Sequence, residues 1–553
     1  MAASASVEPS ATGVYYLELI GATHVPKADT LSESDPYAEV WLESPVGRQV
    51  SNTATSATIA DEKHPFWYAP LVLTLTAGCE VDPAALSLHL SLFDRDPDKS
   101  DFLGAVDLPI EELPADSPRP LRPTIHPKYA KASAPPCVVT LCRRTGLAGL
   151  AVEVVRASNC PRADIQSESD PYCLLQVTDA AGRPKGRPFR TAAKLDSPHP
   201  TWREHAFFYV HPAPGDLLAL RVVDLNLGTS DTGLASLAIP LETLADPAGF
   251  HKSLTLELAP RRKELQAKIE PGKPFSVELR PLPLRFSAAR ITRRVFFVRH
   301  GESMWNEATE QRELGKMLAN DHPLSEVGIR QARRLRELWQ ASAASSEPRF
   351  LEAAHMFCSP LTRALQTCMI AMHGHPLFAQ DAAAPSLHLL ATAREVKTVV
   401  GLDTIGVACG QSAILSRVHQ ATAPFLPLDQ LVPAAQVDAF QAADKWWCEG
   451  KENKADMEHR WRSFLNTLVF FPSGLLIPPS ASLIVVGHSL FLRDFCRKYL
   501  APFRQDLAAF GLQKLSNAGC VALDLEWNPS LHQSDSPAIY DIRLLFGSTL
   551  LDE

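Results

Sequence analysis

The chain has 553 residues, a net charge of -8 and 46% hydrophobic residues, enough for about three domains of ordinary size, each with its own core. That charge leaves no general footprint for nucleic acid, and nowhere do eighteen apolar residues run together to span a bilayer. The eleven cysteines are scattered without a C-x-x-C pair, which favours a reducing, cytoplasmic compartment.

Residues 1–12 are small and polar and are expected to be disordered. They lack the basic end and apolar core of a secretory signal, and Ala2 excludes N-myristoylation. Alternating runs such as Tyr15–Ile20 and Ser87–Phe93 then read as half-buried antiparallel strands. Over residues 13–284 the pattern repeats. Asp29-Thr30-Leu31-Ser32-Glu33-Ser34-Asp35-Pro36-Tyr37 recurs 135 residues later as Asp164-Ile165-Gln166-Ser167-Glu168-Ser169-Asp170-Pro171-Tyr172. Asp94-Arg95-Asp96 with Asp101 recurs as Asp224-Leu225-Asn226 with Asp231, and Pro65-Phe66-Trp67 matches Pro200-Thr201-Trp202. So long a period means tandem domains rather than a solenoid. The Pro-rich stretches 114–136 and 260–274 read as loops or long hairpins at domain ends.

The Ser-Asp-Pro-Tyr and paired-aspartate loops make both halves resemble C2 domains, eight-stranded β-sandwiches, over 13–143 and 148–284. Calcium takes six to eight hard oxygen ligands, which carboxylates from two loops supply. The resemblance implies a calcium set of Asp29, Asp35, Asp94, Asp96 and Asp101 in the first repeat. In the second it implies Asp164, Asp170, Asp224, Asn226 and Asp231, with one charge fewer and so a weaker site. The plain alternative is that these residues make turns. In both repeats the third loop is one residue shorter than the family's commonest form, which bears on Asp101 and Asp231. A bound cation would let the loops bridge to anionic phospholipid, with Leu31, Ile165, Leu225 and Leu227 at the tips. The hairpin Gly182–Pro188, with Arg190 and Lys194, is basic enough for inositide headgroups, although a solvated hairpin is the plainer reading.

Beyond residue 290 the pattern changes to strands alternating with longer helices, for example Gly328 to Trp339, which predicts an α/β sandwich over 290–550. Val295-Phe296-Phe297-Val298-Arg299-His300-Gly301 reads as a buried strand delivering Arg and His to its carboxyl end. Ala354–Cys358, followed by Ser359-Pro360-Leu361-Thr362-Arg363, and Leu483–Gly487, followed by His488, repeat the arrangement. Together they predict a cationic pocket for a phosphoryl group.

These motifs, with Leu324-Ser325-Glu326-Val327-Gly328-Ile329-Arg330-Gln331-Ala332 as a helix opening, resemble the histidine phosphatase (phosphoglycerate mutase-like) superfamily. The resemblance implies His300 as nucleophile, Arg299, Arg363 and His488 as phosphoryl clamps, and a catalytic carboxylate at Glu395. Glu302 is the second candidate for that carboxylate, and Arg394 could tie Glu395 up as an ion pair. Ser303 and Asn306 match the family's Arg-His-Gly-Glu-Ser-x-x-Asn and are candidate substrate contacts. No cofactor is expected for catalysis. The expectation is a phosphatase of a phosphomonoester, drawn to membranes by calcium. A phosphoglycerate mutase-like phosphotransferase and a non-catalytic calcium- and phospholipid-binding scaffold are the alternatives.

Overall fold

The computed structural model describes residues 13–551 except 30–31, 77–80, 97–98, 147, 165–166, 227–229, 251, 261–262, 270–271, 283–290, 314, 379–384, 398–401, 448–451, 470–480, 502–503 and 528–537. The expected N-terminal segment 1–12 and the loop tips Leu31, Ile165 and Leu227 lie outside the described residues.

Two antiparallel sandwiches come first. One pairs a four-stranded with a five-stranded sheet between Val14 and Arg144; the other pairs two four-stranded sheets between Leu150 and Leu282. Each closes over its own apolar core, with Leu19, Leu42, Leu73 and Leu90 in the first and Val154, Leu175, Trp202 and Leu220 in the second. The repeat seen in sequence is a repeat in register. Pro36 pairs with Asp94 in the first sandwich as Pro171 pairs with Asp224 in the second, so the Ser-Asp-Pro-Tyr and paired-aspartate loops leave the same end of each. The stretch 114–136 is not all loop: Pro118–Leu121 and Thr124–Ile125 add short strands to the sheet edges.

The third domain is built on a seven-stranded mixed sheet flanked by helices. The strand Ile291–Arg299 runs parallel to Leu483–Gly487, which runs parallel to His355–Cys358. The three stand side by side in the sheet, so their carboxyl ends, with Arg299, His488 and Ser359 at or just beyond them, open at one edge. The helix Glu326–Ser346 packs on this sheet through Ile329, Ala332, Leu335 and Trp339.

The strand Thr201–Phe208 joins the second sandwich to the third domain by simple alternation. Successive side chains of a strand point to opposite faces. Trp202, Ala206 and Phe208 fill the sandwich core, while Phe207 and the following Tyr209 belong to the core of the third domain, edge-on and tilted against Trp527 at 5.7 and 5.5 Å. Polar ties surround this joint: Arg203 reaches Asp438 at 3.1 Å, Thr201 N donates to Asp444 at 3.1 Å, and Asn466 Nδ2 donates to the carbonyl of His205 at 2.8 Å.

The basic hairpin is largely solvent-exposed, as its plainer reading had it, with Gly182, Arg183, Pro184, Gly186 and Pro188 at the surface, and it also touches both neighbouring domains. Arg183 lies over Phe66 and donates to Asp179, which also accepts from Tyr68 Oη at 2.8 Å. Lys185 is buried on Asp216 at 2.8 Å, and Arg462 of the third domain donates to the carbonyl of Pro188. These contacts brace the hairpin between the first sandwich and the third domain.

Phe207→Ala should spare the sandwich core and open the joint, at a cost of about 3–5 kcal/mol. Scanning calorimetry is expected to show the second sandwich and the third domain melting apart; a profile identical to wild type would contradict this assignment.

Candidate active site and calcium-binding loops

Arg299 ends its strand, and the chain turns through His300-Gly301-Glu302 against the start of helix Glu326–Ser346. The turn needs glycine on both sides. A Cβ on Gly301 would sit 2.7 Å from the carbonyl oxygen of Gly328, and one on Gly328 would sit 2.0 Å from that of Glu302. Ser325 caps the helix by accepting from Gly328 N. Its hydroxyl donates to Glu302 Oε1 at 2.7 Å, and Glu302 does not line the catalytic cavity.

That cavity, about 400 Å³, is walled by Arg299, His300, Arg363, Glu395, Asp403 and Lys514 among others. His300 Nδ1 lies 2.6 Å from the carbonyl of Gly301, which fixes the proton there and leaves Nε2 to accept from Arg363 Nε at 3.3 Å. Burial first, then Arg363 and Arg299, push the His300 pKa well below the usual histidine range, so the ring is neutral at ordinary pH. Arg299 is lowered by burial to about 10 and stays charged; it donates to the carbonyl of Leu515. Arg363 is held from the other side by Asp403, at 2.7 Å to its carbonyl and 3.1 Å to its carboxylate. Its helix starts on the buried Asp321, which accepts from Thr362 and from Arg417.

His488 stands behind the cavity wall, its ring 5.0 Å from that of His300. Its Nε2 is 2.8 Å from Ser359 Oγ and its buried Nδ1 has no hydrogen-bond partner among the described residues. Glu395 is buried, and one oxygen accepts from Val396 N and Phe491 N while the other makes no hydrogen bond among the described residues. Burial raises its pKa. Arg394 does not occupy it, because Arg394 pairs with Glu452 at 2.6 Å. Ser303 and Asn306 bond each other as a capping box for helix Met304–Glu310, and both reach the cavity wall.

Sequence reasoning missed Trp305 and Lys514 on the cavity wall, and Arg460, which donates to the carbonyls of Arg394 and Glu395. Trp305 sits at a position that the Arg-His-Gly-Glu-Ser-x-x-Asn motif leaves open, and Lys514 and Arg460 carry no local motif.

The acidic loops are built alike in both sandwiches. Asp94 Oδ1 accepts from Asp35 N at 2.5 Å and Asp224 Oδ1 from Asp170 N at 2.6 Å. Asp61 N donates to Asp35 and Asp196 N to Asp170, a pair that the 135-residue repeat already carried and that motif matching passed over. In each repeat one oxygen of the central carboxylate, Oδ2 of Asp94 or Asp224, is buried without a hydrogen-bond partner among the described residues. Desolvation chiefly, with Asp29 and Asp96 nearby, raises the Asp94 pKa; desolvation with Asp164, Asp170 and Asp231 raises Asp224 to about 6. Buried carboxylate oxygens facing like charges fit a hard cation such as calcium.

Other members of the sets are otherwise engaged. Asp101 takes Tyr129 Oη at 2.5 Å and Lys128 at 3.2 Å, and Asp231 takes Tyr172 Oη at 2.7 Å and Asn226 N at 2.9 Å. Asp29 and Asp164 accept from Ser32 and Ser167. In the second repeat, Lys445 of the third domain is within electrostatic reach of Asp170, and Leu225 lines a cavity against that domain rather than standing at a free tip.

Comparison with known families agrees with this architecture. The C2 domain model matches residues 13–123 and 148–256, and that of the histidine phosphatase superfamily (branch 1) matches residues 295–382. The chain carries two C2 domains followed by a histidine phosphatase superfamily domain. The phosphatase match includes Arg299, His300 and Arg363 and ends before Glu395 and His488.

Mouse cytosolic phospholipase A2 delta is 31% identical over 106 residues, 19% of this chain and 11% of the relative; human synaptotagmin-3 is 26% identical over 226 residues, 38% of this chain and 35% of the relative. The chain thus spans a tenth to a third of these relatives' length. A solved structure of the C2A and C2B domains of extended-synaptotagmin 2 matches 51% of this chain and 95% of its own at 17% identity, with a TM-score of 0.21. No helix among the described residues is long and apolar enough to cross a membrane.

Without a cation, folded Asp224 keeps a proton that the unfolded chain has lost between pH 3.8 and about 6. Its contribution to stability is therefore present at low pH and disappears as pH rises through that window. Thermal melts in chelator should show this loss, and Asp224→Asn should flatten it; an unchanged slope would rule out a strained carboxylate here.

Proposed function

We propose that the protein hydrolyses a phosphomonoester through a phosphohistidine on His300, and that calcium held in the C2 loops brings it to anionic membranes. The observation that carries the first half is the neutral His300 ring set between two buried guanidiniums in one cavity with a buried carboxyl, Glu395.

Arg299 and Arg363 bind the phosphoryl oxygens, which positions phosphorus against the Nε2 lone pair of His300. The pair forms the N–P bond as the ester P–O bond breaks. Glu395, whose protonated form is favoured by burial, gives its proton to the departing oxygen, which leaves as an alcohol. The resulting carboxylate then takes a proton from water. The hydroxyl oxygen bonds to phosphorus, the N–P bond breaks with its electrons returning to His300, and orthophosphate is released. His488 stabilises the phosphoryl group from behind His300, and Asp403 acts by holding Arg363.

In the first C2 domain, Asp29, Asp35, Asp94 and Asp96 would hold calcium, with Asp101 joining if it leaves Lys128 and Tyr129. In the second, Asp164, Asp170, Asp224, Asn226 and Asp231 would do so, more weakly because of the missing charge and of Lys445. Bound calcium supplies positive charge and open positions for lipid phosphate or carboxylate oxygens. Without it these carboxylates are repelled by an anionic leaflet.

Glu395→Gln should slow alkyl phosphates by at least tenfold more than aryl phosphates, whose leaving oxygen needs little protonation. With alkyl substrates the wild-type rate should also fall as pH rises through the raised Glu395 pKa, a limb absent with aryl substrates. Equal slowing of both classes would place the acid elsewhere.

Sedimentation with phosphatidylserine vesicles should require calcium, weaken with salt, and be lost in Asp94→Asn/Asp96→Asn, while turnover of a small soluble ester is unchanged. Equal sedimentation in calcium and in chelator would refute calcium recruitment.

A further inference from the structure

A second cavity, about 150 Å³, lies between the second C2 domain and the phosphatase domain and shares no lining residue with the catalytic pocket. Among its lining residues are five Lys and Arg against three Asp and Glu. Lys194 is decisive. Its side chain is 7% exposed, lines the cavity, and makes no ion pair or side-chain hydrogen bond with any described residue. Glu204 and Asp444 influence it only at a distance, and Glu204 is engaged by Ala192 N at 2.9 Å. Burial pushes the Lys194 pKa down, a cost that an anion in the cavity would relieve.

Arg190, whose guanidinium lies over Tyr172, lines the same walls, as does Thr392. An ammonium and a guanidinium around one small space match the oxygens of a phosphate group. About five waters would fill the volume, so one phosphate fits while the rest of a larger molecule would stay outside.

We propose that this cavity is a second phosphate-binding site, which takes orthophosphate or the phosphorylated end of a larger molecule and braces the joint between the two domains. The walls give such a ligand leverage. Thr392 lies three residues before Glu395, and Trp446 packs so closely on Gly406 that a Cβ there would sit 2.5 Å from the indole; Gly406 lies three residues after Asp403, the carboxylate that holds Arg363.

The test is calorimetric titration of the full chain carrying His300→Ala, so that no ligand is turned over. Orthophosphate should bind at two sites. Adding Lys194→Met should remove one of them, weakening it at least tenfold, and should shrink the phosphate-dependent rise in Tm. Arg190→Gln should weaken the same site. Each variant is first shown to unfold cooperatively. Inositol 1,4,5-trisphosphate in a parallel titration separates the sources: Lys194-dependent binding tighter than that of orthophosphate assigns the phosphate to a headgroup, and binding of orthophosphate alone assigns it to the free ion. Titrations with both ligands that are unmoved by Lys194→Met and Arg190→Gln would overturn the proposal.

Discussion

The charge arrangement around His300 sets the terms for the rest of the phosphatase domain. Two guanidiniums buried beside an imidazole cannot share the space with a third positive charge, so the ring stays neutral and keeps its Nε2 lone pair. Such charges need anchorage in a low-dielectric interior. Asp403 and the carbonyl of Leu515 provide it for Arg363 and Arg299, and Asp321 fixes the start of the helix that presents Arg363. The same burial acts in the opposite sense on Glu395, favouring its protonated form. A neutral imidazole, charged guanidiniums and a carboxyl biased toward its protonated form therefore share one cause, the depth of the pocket at the carboxyl edge of three parallel strands.

In the C2 loops the same electrostatics runs with the sign reversed. Carboxylates crowd together, and the central one of each repeat buries an oxygen with nothing bonded to it among the described residues. The two repeats share this network and differ in surroundings. The second has Lys445 of the third domain near Asp170, and its Leu225 shares a cavity wall with Thr392 and Arg394, which connects its loops to that domain.

Much of this was legible in the sequence because it depends on local pattern. Alternation and the 135-residue repeat predicted two sandwiches, and three apolar strands ending near Arg or His predicted the grouping of Arg299, His300 and Arg363 around one cavity, with His488 behind its wall. Gly301 and Gly328 were visible as motif residues, though not as two backbones in contact. Other features are set by tertiary neighbours. Arg394 looked like a partner for Glu395 because it is adjacent, yet Glu452, far along the chain, takes it. The contacts of the exposed hairpin Gly182–Pro188 with Phe66, Tyr68 and Arg462 were hidden because nothing in its own sequence records those residues. The double burial of Thr201–Phe208 was hidden for the same reason: its outward residues, Phe207 and Tyr209, acquire a core only when Trp527 arrives.

The central claim is covalent catalysis at His300, and rapid acid-free quenching of the enzyme with a phosphorus-labelled substrate tests it most directly. The account predicts a label on one peptide, acid-labile and alkali-stable, that maps to His300 and decays at a rate consistent with turnover. Hydrolysis of the same substrate with no label trapped in His300, or with label on another residue, would contradict it.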